Sequence, residues 1–112
     1  MIVEEIINKL GLQVISSGDT QQEVTGGYAA DLLSCVMAKA KAGNVWVTLQ
    51  AHPNVVAVAS LLNLAAVIIS EGIHPDLETV ERAQENQVTL LGSPQTTFAG
   101  VGELSKLGVG GA

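Results

Sequence analysis

A single layered α/β domain, with a mostly parallel central sheet of about five strands flanked by helices, is predicted by three features of this 112-residue chain. Apolar runs alternate with helix-patterned stretches at intervals of roughly 20 residues, which implies right-handed strand–helix–strand crossovers. The runs "VWVTL", "AAVII" and "VTLL" are apolar throughout, as strands covered on both faces should be. The only three prolines, Pro53, Pro75 and Pro94, each fall in a short loop ahead of a helical stretch, where no N–H is needed.

Taken in order, Ile2, Ile6, Ile7 and Leu10 recur at helical spacing, and Gly11 ends that N-terminal helix over residues 1–11. "LQVIS" reads as a strand over 12–16 and "SGDTQQE" as a polar loop. "VTGGYAA" is expected to be extended, because the pair Gly26 and Gly27 discourages a helix interior. A helix is predicted over 32–41, with Lys39 and Lys41 in its last turn and Gly43 as its left-handed cap. Three similar units follow. "VWVTLQ" leads through "AHPN" into "VVAVASLLN", "AAVIIS" through "EGIHPD" into "LETVERAQEN", and "VTLLG" through "SPQTT" into "FAGVGELSKLG". The expected strands lie near 12–16, 45–50, 65–70 and 88–91, and the whole of 1–112 forms one domain ending in a flexible glycine-rich tail at 108–112.

Hydrophobic residues make up 47% of the chain and charged residues 14%, against roughly 25% charged in an average soluble domain. So few charges cannot cover the surface densely, and the composition predicts a homodimer. Five basic residues against 11 acidic ones leave a formal charge of −6. Lys9, Lys39, Lys41, Arg82 and Lys106 are scattered, so no basic face exists for nucleic acid. One cysteine, Cys35, cannot form an internal disulfide, which fits a reducing cytoplasm. Glu4 and Glu5 stand where a signal peptide would be basic. The apolar stretch 55–69 is interrupted by Asn63 and falls short of the ~20 residues a membrane span needs, so no membrane association is expected.

In such a fold every strand-to-helix loop emerges at the carboxyl edge of the sheet, where open α/β folds bind ligands. His52, Asn54, His74, Asp76, Ser93, Thr96 and Thr97 are expected along that edge, with Asp31 and Ser34 beside them. Asp31 and Ser34 stand three apart on one side of a first helical turn, and Asp31 is read first as its N-cap. Both are also candidate ligand contacts beside the backbone of Gly26 and Gly27. Catalysis by Ser34 or Cys35 is not expected, because no histidine at defined spacing activates either. His52 and His74, with Asp31 or Asp76, could bind a metal only if separate loops converged; helix capping is the simpler reading. The chain has no GxxxxGK[ST], HExxH or CxxC, and "GVGE" lies inside a predicted helix, so no cofactor is implied.

The run "GGYAADLLSCVMAKAKAGNVWVTLQAHPNVVAVASLLNLAAVIISEG" resembles the stand-alone DRTGG-domain proteins of anaerobic bacteria. "GIHPDLETVERAQENQVTLLGSPQTTFAGVGEL" is similar to the DRTGG module of bacterial phosphotransacetylases and of CBS-containing pyrophosphatases. The resemblance spans about residues 12–107; a literal DRTGG string is absent, and Cys35 replaces an acidic or bulky residue. It implies a fold similar to the N-terminal domain of HPr kinase, and more remotely to that of Mur ligases. It also implies a non-catalytic, dimerising, regulatory or ligand-sensing role. Similar genes lie near those for iron-only hydrogenase and electron transfer. The "serine kinase" label some members carry does not suit a chain without a phosphate-binding loop.

Three functions follow in order of expectation: a homodimeric module sensing a small molecule or protein partner, a purely structural assembly domain, and a small metal-dependent protein using the two histidines. The candidate ligand contacts are Gly26, Gly27, Asp31, Ser34, His52, Asn54, Ser93, Thr96 and Thr97.

Overall fold

Three crossover helices on one face of a sheet are what right-handed connections between successive, adjacent parallel strands require. The computed structural model, which describes all 112 residues, has this arrangement. β2 (Gly26–Ala29), β3 (Asn44–Thr48), β4 (Ala66–Ile69) and β5 (Leu90–Gly92) lie side by side and parallel. Between them run α2 (Leu33–Lys39), α3 (Pro53–Leu61) and α4 (Leu77–Glu85). Val36 of α2, Val55, Val56 and Ala59 of α3 and Ala83 of α4 pack on Trp46, Val67, Ile69 and Leu90. The opposite face is covered by α1 (Val3–Leu10) and α5 (Thr97–Lys106), whose Val3, Ile6 and Leu104 meet Val45, Val47, Ala66, Ile68 and Leu91. The strand residues alternate between these two cores with the period of two that a strand imposes. Every residue of β3, β4 and β5 is buried, as the apolar runs at their centres predict.

The expected mostly parallel sheet is corrected at one edge. β1 (Gln13–Ser16) pairs antiparallel with β5, which makes the five-stranded sheet a mixed one, ordered β1-β5-β4-β3-β2. The reason is the connection that precedes it. Only Gly11 and Leu12 separate α1 from β1, and two residues reach at most ~7 Å. The chain cannot return to the amino edge in that distance, so β1 starts where α1 ends and runs the other way. Residues 17–25 then carry the chain to the far edge. On the way, the carbonyls of Thr20 and Gln22 accept hydrogen bonds from the first N–H groups of α1, at Glu4 and Val3.

The helix predicted over 32–41 is shorter, ending at Lys39 because Ala40 is already extended. Gly43 therefore caps nothing. It takes φ +82° in the turn before β3, where a Cβ would lie 2.7 Å from the Thr25 side chain. The end of the chain, expected to be a flexible tail, runs beside the β2 edge, with the Gly27 N–H donating to the Gly110 carbonyl at 2.8 Å. This explains the glycine pair. A Cβ on Gly26 would lie 3.2 Å from the carbonyl oxygens of Gly110 and Gly111, and one on Gly27 would lie 3.3 Å from Val109 Cγ1.

Trp46, the only tryptophan, is fully buried in β3, and its indole N–H donates to the Ala30 carbonyl at 2.8 Å. Trp46→Phe is expected to cost about 1–2 kcal/mol by leaving that carbonyl without its donor. Trp46→Ala should cost about 3–5 kcal/mol through the cavity it opens. Urea denaturation measures both, and a Trp46→Ala protein as stable as the parent would contradict this packing.

Candidate functional site

Each buried parallel strand ends in, or runs directly into, a hydroxyl residue: Thr48 after β3's apolar run, Ser70 after β4 and Ser93 after β5. All three are buried. They cannot be left without partners, since an unpaired buried polar group costs about 1–3 kcal/mol. Their partners come from the loops of the carboxyl edge. Asp31 Oδ1 accepts from the Thr48 hydroxyl at 2.9 Å and from the Leu49 N–H at 3.0 Å. Ser70 Oγ donates to the Thr48 carbonyl at 3.4 Å and shares a 2.6 Å hydrogen bond with Thr97 Oγ1. The Thr97 N–H in turn donates to Glu71 Oε2 at 2.7 Å. Ser93 Oγ accepts from the Gln95 N–H at 3.2 Å. The result is a chain of polar contacts from Asp31 through Thr48 and Ser70 to Thr97 and Glu71.

Asp31 is therefore not a helix cap, which corrects the first reading of it. The residue at the N-cap of α2 is Leu32, with no side-chain cap. Asp31 turns instead to the neighbouring strand, and its carbonyl also accepts from Gln50 Nε2 at 3.2 Å. Together with the bond from Trp46 to Ala30, this fastens the turn after β2 to the turn after β3. Ser34 sits exposed at the start of α2 and takes no part in the chain.

Three of the other helices, α3, α4 and α5, do carry side-chain caps. His52 Nδ1 accepts from the Asn54 N–H at 3.1 Å at the start of α3, which requires the imidazole proton to sit on Nε2. Asp76 accepts from the Thr79 N–H and hydroxyl at the start of α4, and Thr96 accepts from the Ala99 N–H at the start of α5. His74 lies in the loop before α4 and caps no helix, so capping holds for only one histidine of the expected pair. It lines a glycine-rich hollow of about 240 Å³ with Gln13, Gly72, Ser93 and Pro94. No group of three or more His, Cys, Asp or Glu side chains converges anywhere in a way that could hold a metal ion.

Of the nine candidate contacts, Asp31, His52, Asn54, Ser93, Thr96 and Thr97 share the carboxyl edge, with Ser34 on its margin. Gly26 and Gly27 start β2 and lie away from that edge, against the end of the chain. Thr48, Ser70, Glu71 and Gln50 are the members that sequence reasoning missed. The signal was present: a hydroxyl closes each of two wholly apolar runs, where the strand leaves the core.

The electrostatics of this edge are acidic. Asp31, Glu71 and Asp76 lie on it, whereas Lys39, Arg82 and Lys106 occupy the last turns of their helices at the opposite end. Only Lys9, in the last turn of α1, approaches it.

No protein-family model matches the sequence, and no curated protein matches it. Among solved structures, the chain is similar to the CBS and DRTGG domains of the regulatory region of Clostridium perfringens pyrophosphatase. That structure was determined in complex with an activator, diadenosine tetraphosphate. The TM-score is 0.72 at 14% identity, and the match covers 92% of this chain and 45% of that one. The two share a fold. The DRTGG resemblance of the sequence thus meets a likeness of fold to a region containing a DRTGG domain, of whose length this chain spans less than half.

Two mutants test the Asp31 clasp. Asp31→Asn keeps an acceptor oxygen and should change stability little. Asp31→Ala removes both bonds and should cost about 1 kcal/mol, with the buried Thr48 hydroxyl left without its acceptor. Equal losses in chemical denaturation would show that the charge, and not the acceptor, is what the fold uses.

Asp76 gives a pH test. The N–H and hydroxyl of Thr79, both donating to it, hold its carboxyl below the usual carboxylate range. A lowered value in the folded state means stabilisation that is fully present at neutral pH and lost as the pH falls through that value. Asp76→Asn, which retains the cap, should therefore flatten the loss of stability below about pH 4, measured as the slope of unfolding free energy against pH.

Proposed function

We propose that this chain is a non-catalytic regulatory module that acts as a homodimer and binds a small polar ligand at the carboxyl edge of its sheet. The observation that carries the reading is the polar chain from Asp31 to Glu71. It fixes the loops after β2, β3 and β4 and the start of α5 to one another, so a ligand touching one loop acts on all of them. The fold likeness to a pyrophosphatase regulatory region supports a regulatory role. The non-catalytic part of the reading is supported by how the candidate groups are engaged. His52 is engaged by its own helix, Cys35 has no base beside it in the sequence, and no metal-binding cluster exists.

The dimer is supported by the 14% charged content and by Leu32, Leu49, Leu77 and Phe98, which stay exposed where loops meet helices. No helix is long and apolar enough to cross a membrane. The resemblance to proteins encoded beside hydrogenase and electron-transfer genes suggests that the regulated partner belongs to such a system, and inspection of neighbouring genes tests this directly.

The acidic edge decides the ligand's charge. A polyphosphate such as the activator of the pyrophosphatase would bring several negative charges against Asp31, Glu71 and Asp76. Neutral or cationic polar molecules, or a nucleotide neutralised by a divalent cation, fit the site. Differential scanning fluorimetry with nucleosides, amides, polyamines, acyl phosphates and nucleotides with and without magnesium tests this. A true ligand at a hundred times its Kd should add about 2.7 kcal/mol, or roughly 10 °C or more in a domain of this size. Diadenosine tetraphosphate without metal should give no shift. A shift with that compound alone would overturn the charge argument, and no shift with any class would favour a purely structural assembly domain.

A further inference from the structure

Neighbouring parallel strands leave room for a ligand where the loops that follow them turn to opposite faces of the sheet. This fold has one such place. The chain leaving β2, β3 and β4 turns to the face covered by α2, α3 and α4, whereas the chain leaving β5 turns to the other face as α5. Because β4 and β5 are neighbours, the crevice lies between their carboxyl ends. The hollow of about 240 Å³ beside His74 is at this point. The loop after β4 lines it with Gly72, Ile73 and His74, and the end of β5 with Gly92, Ser93 and Pro94. Gln13 of the antiparallel β1 closes its third side.

The two walls are held in place by the chain itself. The Gly72 N–H donates to the Ser93 carbonyl at 2.9 Å, and the Glu71 N–H to the Gln95 carbonyl at 2.7 Å. The lining nevertheless has hydrogen-bonding capacity to spare. Ser93 is only 7% exposed; its Oγ accepts from the Gln95 N–H, while its own proton has no acceptor in the chain. A ligand acceptor would remove the cost of that unmet donor. The Gln13 amide and the His74 imidazole, both exposed, make no hydrogen bond to the rest of the chain. Gln13 Oε1 lies 3.6 Å from where a Cβ on Gly92 would stand, so the amide is set over bare backbone. No carboxylate, lysine or arginine lines the hollow, which therefore suits a neutral molecule.

We infer that this hollow binds a nucleobase, carried by a neutral nucleoside, with Gln13 pairing to its edge and Ser93 donating to one of its acceptors. A glutamine amide donates and accepts side by side, which matches the adjoining donor and acceptor on a base edge. Ile73, the Pro94 ring and the bare peptide planes at the glycines give a flat heterocycle faces to lie against. The volume is below the roughly 300–1,000 Å³ of a drug-sized pocket, so it admits one base and not a dinucleotide. The inference rests on the ligand-binding edge proposed above and names its site and ligand class.

Titration of the isotopically labelled protein with adenosine, guanosine, cytidine and uridine, followed by amide chemical shifts, tests it. At least one nucleoside should bind saturably and move the signals of Gly11, Gly72 and Gly92 most. Gln13→Leu, which keeps the bulk and loses the amide, and His74→Ala should each weaken that binding about tenfold, the effect of one lost hydrogen bond. Both side chains are exposed, so the melting temperature should not change. The 5′-monophosphate of the same nucleoside should bind no more tightly. A nucleoside that instead moves the signals of Leu49, Gln50 and Thr97, or that binds both variants as well as the parent, overturns this site and leaves the ligand-binding edge standing. Tighter binding of the monophosphate, or a response to polyamines or amides with none to nucleosides, overturns the ligand class and again leaves the edge standing. No response to any compound class screened above overturns both.

Discussion

Burying the indole of Trp46 constrains this molecule more than any other single contact. A ring of that size in the centre of β3 fills the core beneath α2 and α3, but its N–H then needs an acceptor where water cannot reach. The Ala30 carbonyl supplies it. Because Ala30 is the last residue before the chain turns into α2, this bond sets where edge strand β2 must stop. The Ala30 N–H then donates to the Val47 carbonyl, and the Asp31 carboxylate is delivered to Thr48 and Leu49. From Thr48 the contacts pass to Ser70 and Thr97. The arrangement of the carboxyl edge thus follows from a packing decision in the core.

The same logic explains why a chain with so few charges still has a polar face. Strands buried on both sides must shed their apolar character at the residue where they leave the core, and in β3 and β4 a single hydroxyl makes that transition. Threonine and serine suit the position. They are small enough to lie among valines, and their oxygens both donate and accept, so each bonds to the next loop. The acidic groups of the edge are the acceptors those donors need. Its negative potential is thus partly a by-product of satisfying buried hydroxyls, and the fold shared with the pyrophosphatase regulatory region carries no guarantee of a shared ligand.

Much of the fold was legible because its signals are local and repeated. Unbroken apolar runs, prolines ahead of helices and the cap at His52 all act within a few residues, and each appears where the sequence places it. The direction of β1 was not legible from the repeat, since β1 lies outside it; the two-residue connection after α1 fixes it only relative to that helix, whose own direction is set by packing on the sheet. Asp31 was misassigned for a related reason. Aspartate just before a helix is a cap by local rules, and only the distant Trp46 and Thr48, set beside it by the sheet, turn its carboxylate elsewhere.

Glycine shows how far a local reading extends. Gly26 and Gly27 are correctly read as extended, yet their cause lies more than eighty residues downstream, in the chain end that crosses β2 too closely for a side chain. An edge strand leaves N–H and C=O groups open to pairing with other chains, and folds that persist as defined species must cover them. Here β1 covers one edge of the parallel strands by pairing with β5, and residues 110–111 partly cover the other. The absence of side chains at 26 and 27 permits that cover. One pair of glycines therefore guards the edge of the sheet against indiscriminate pairing.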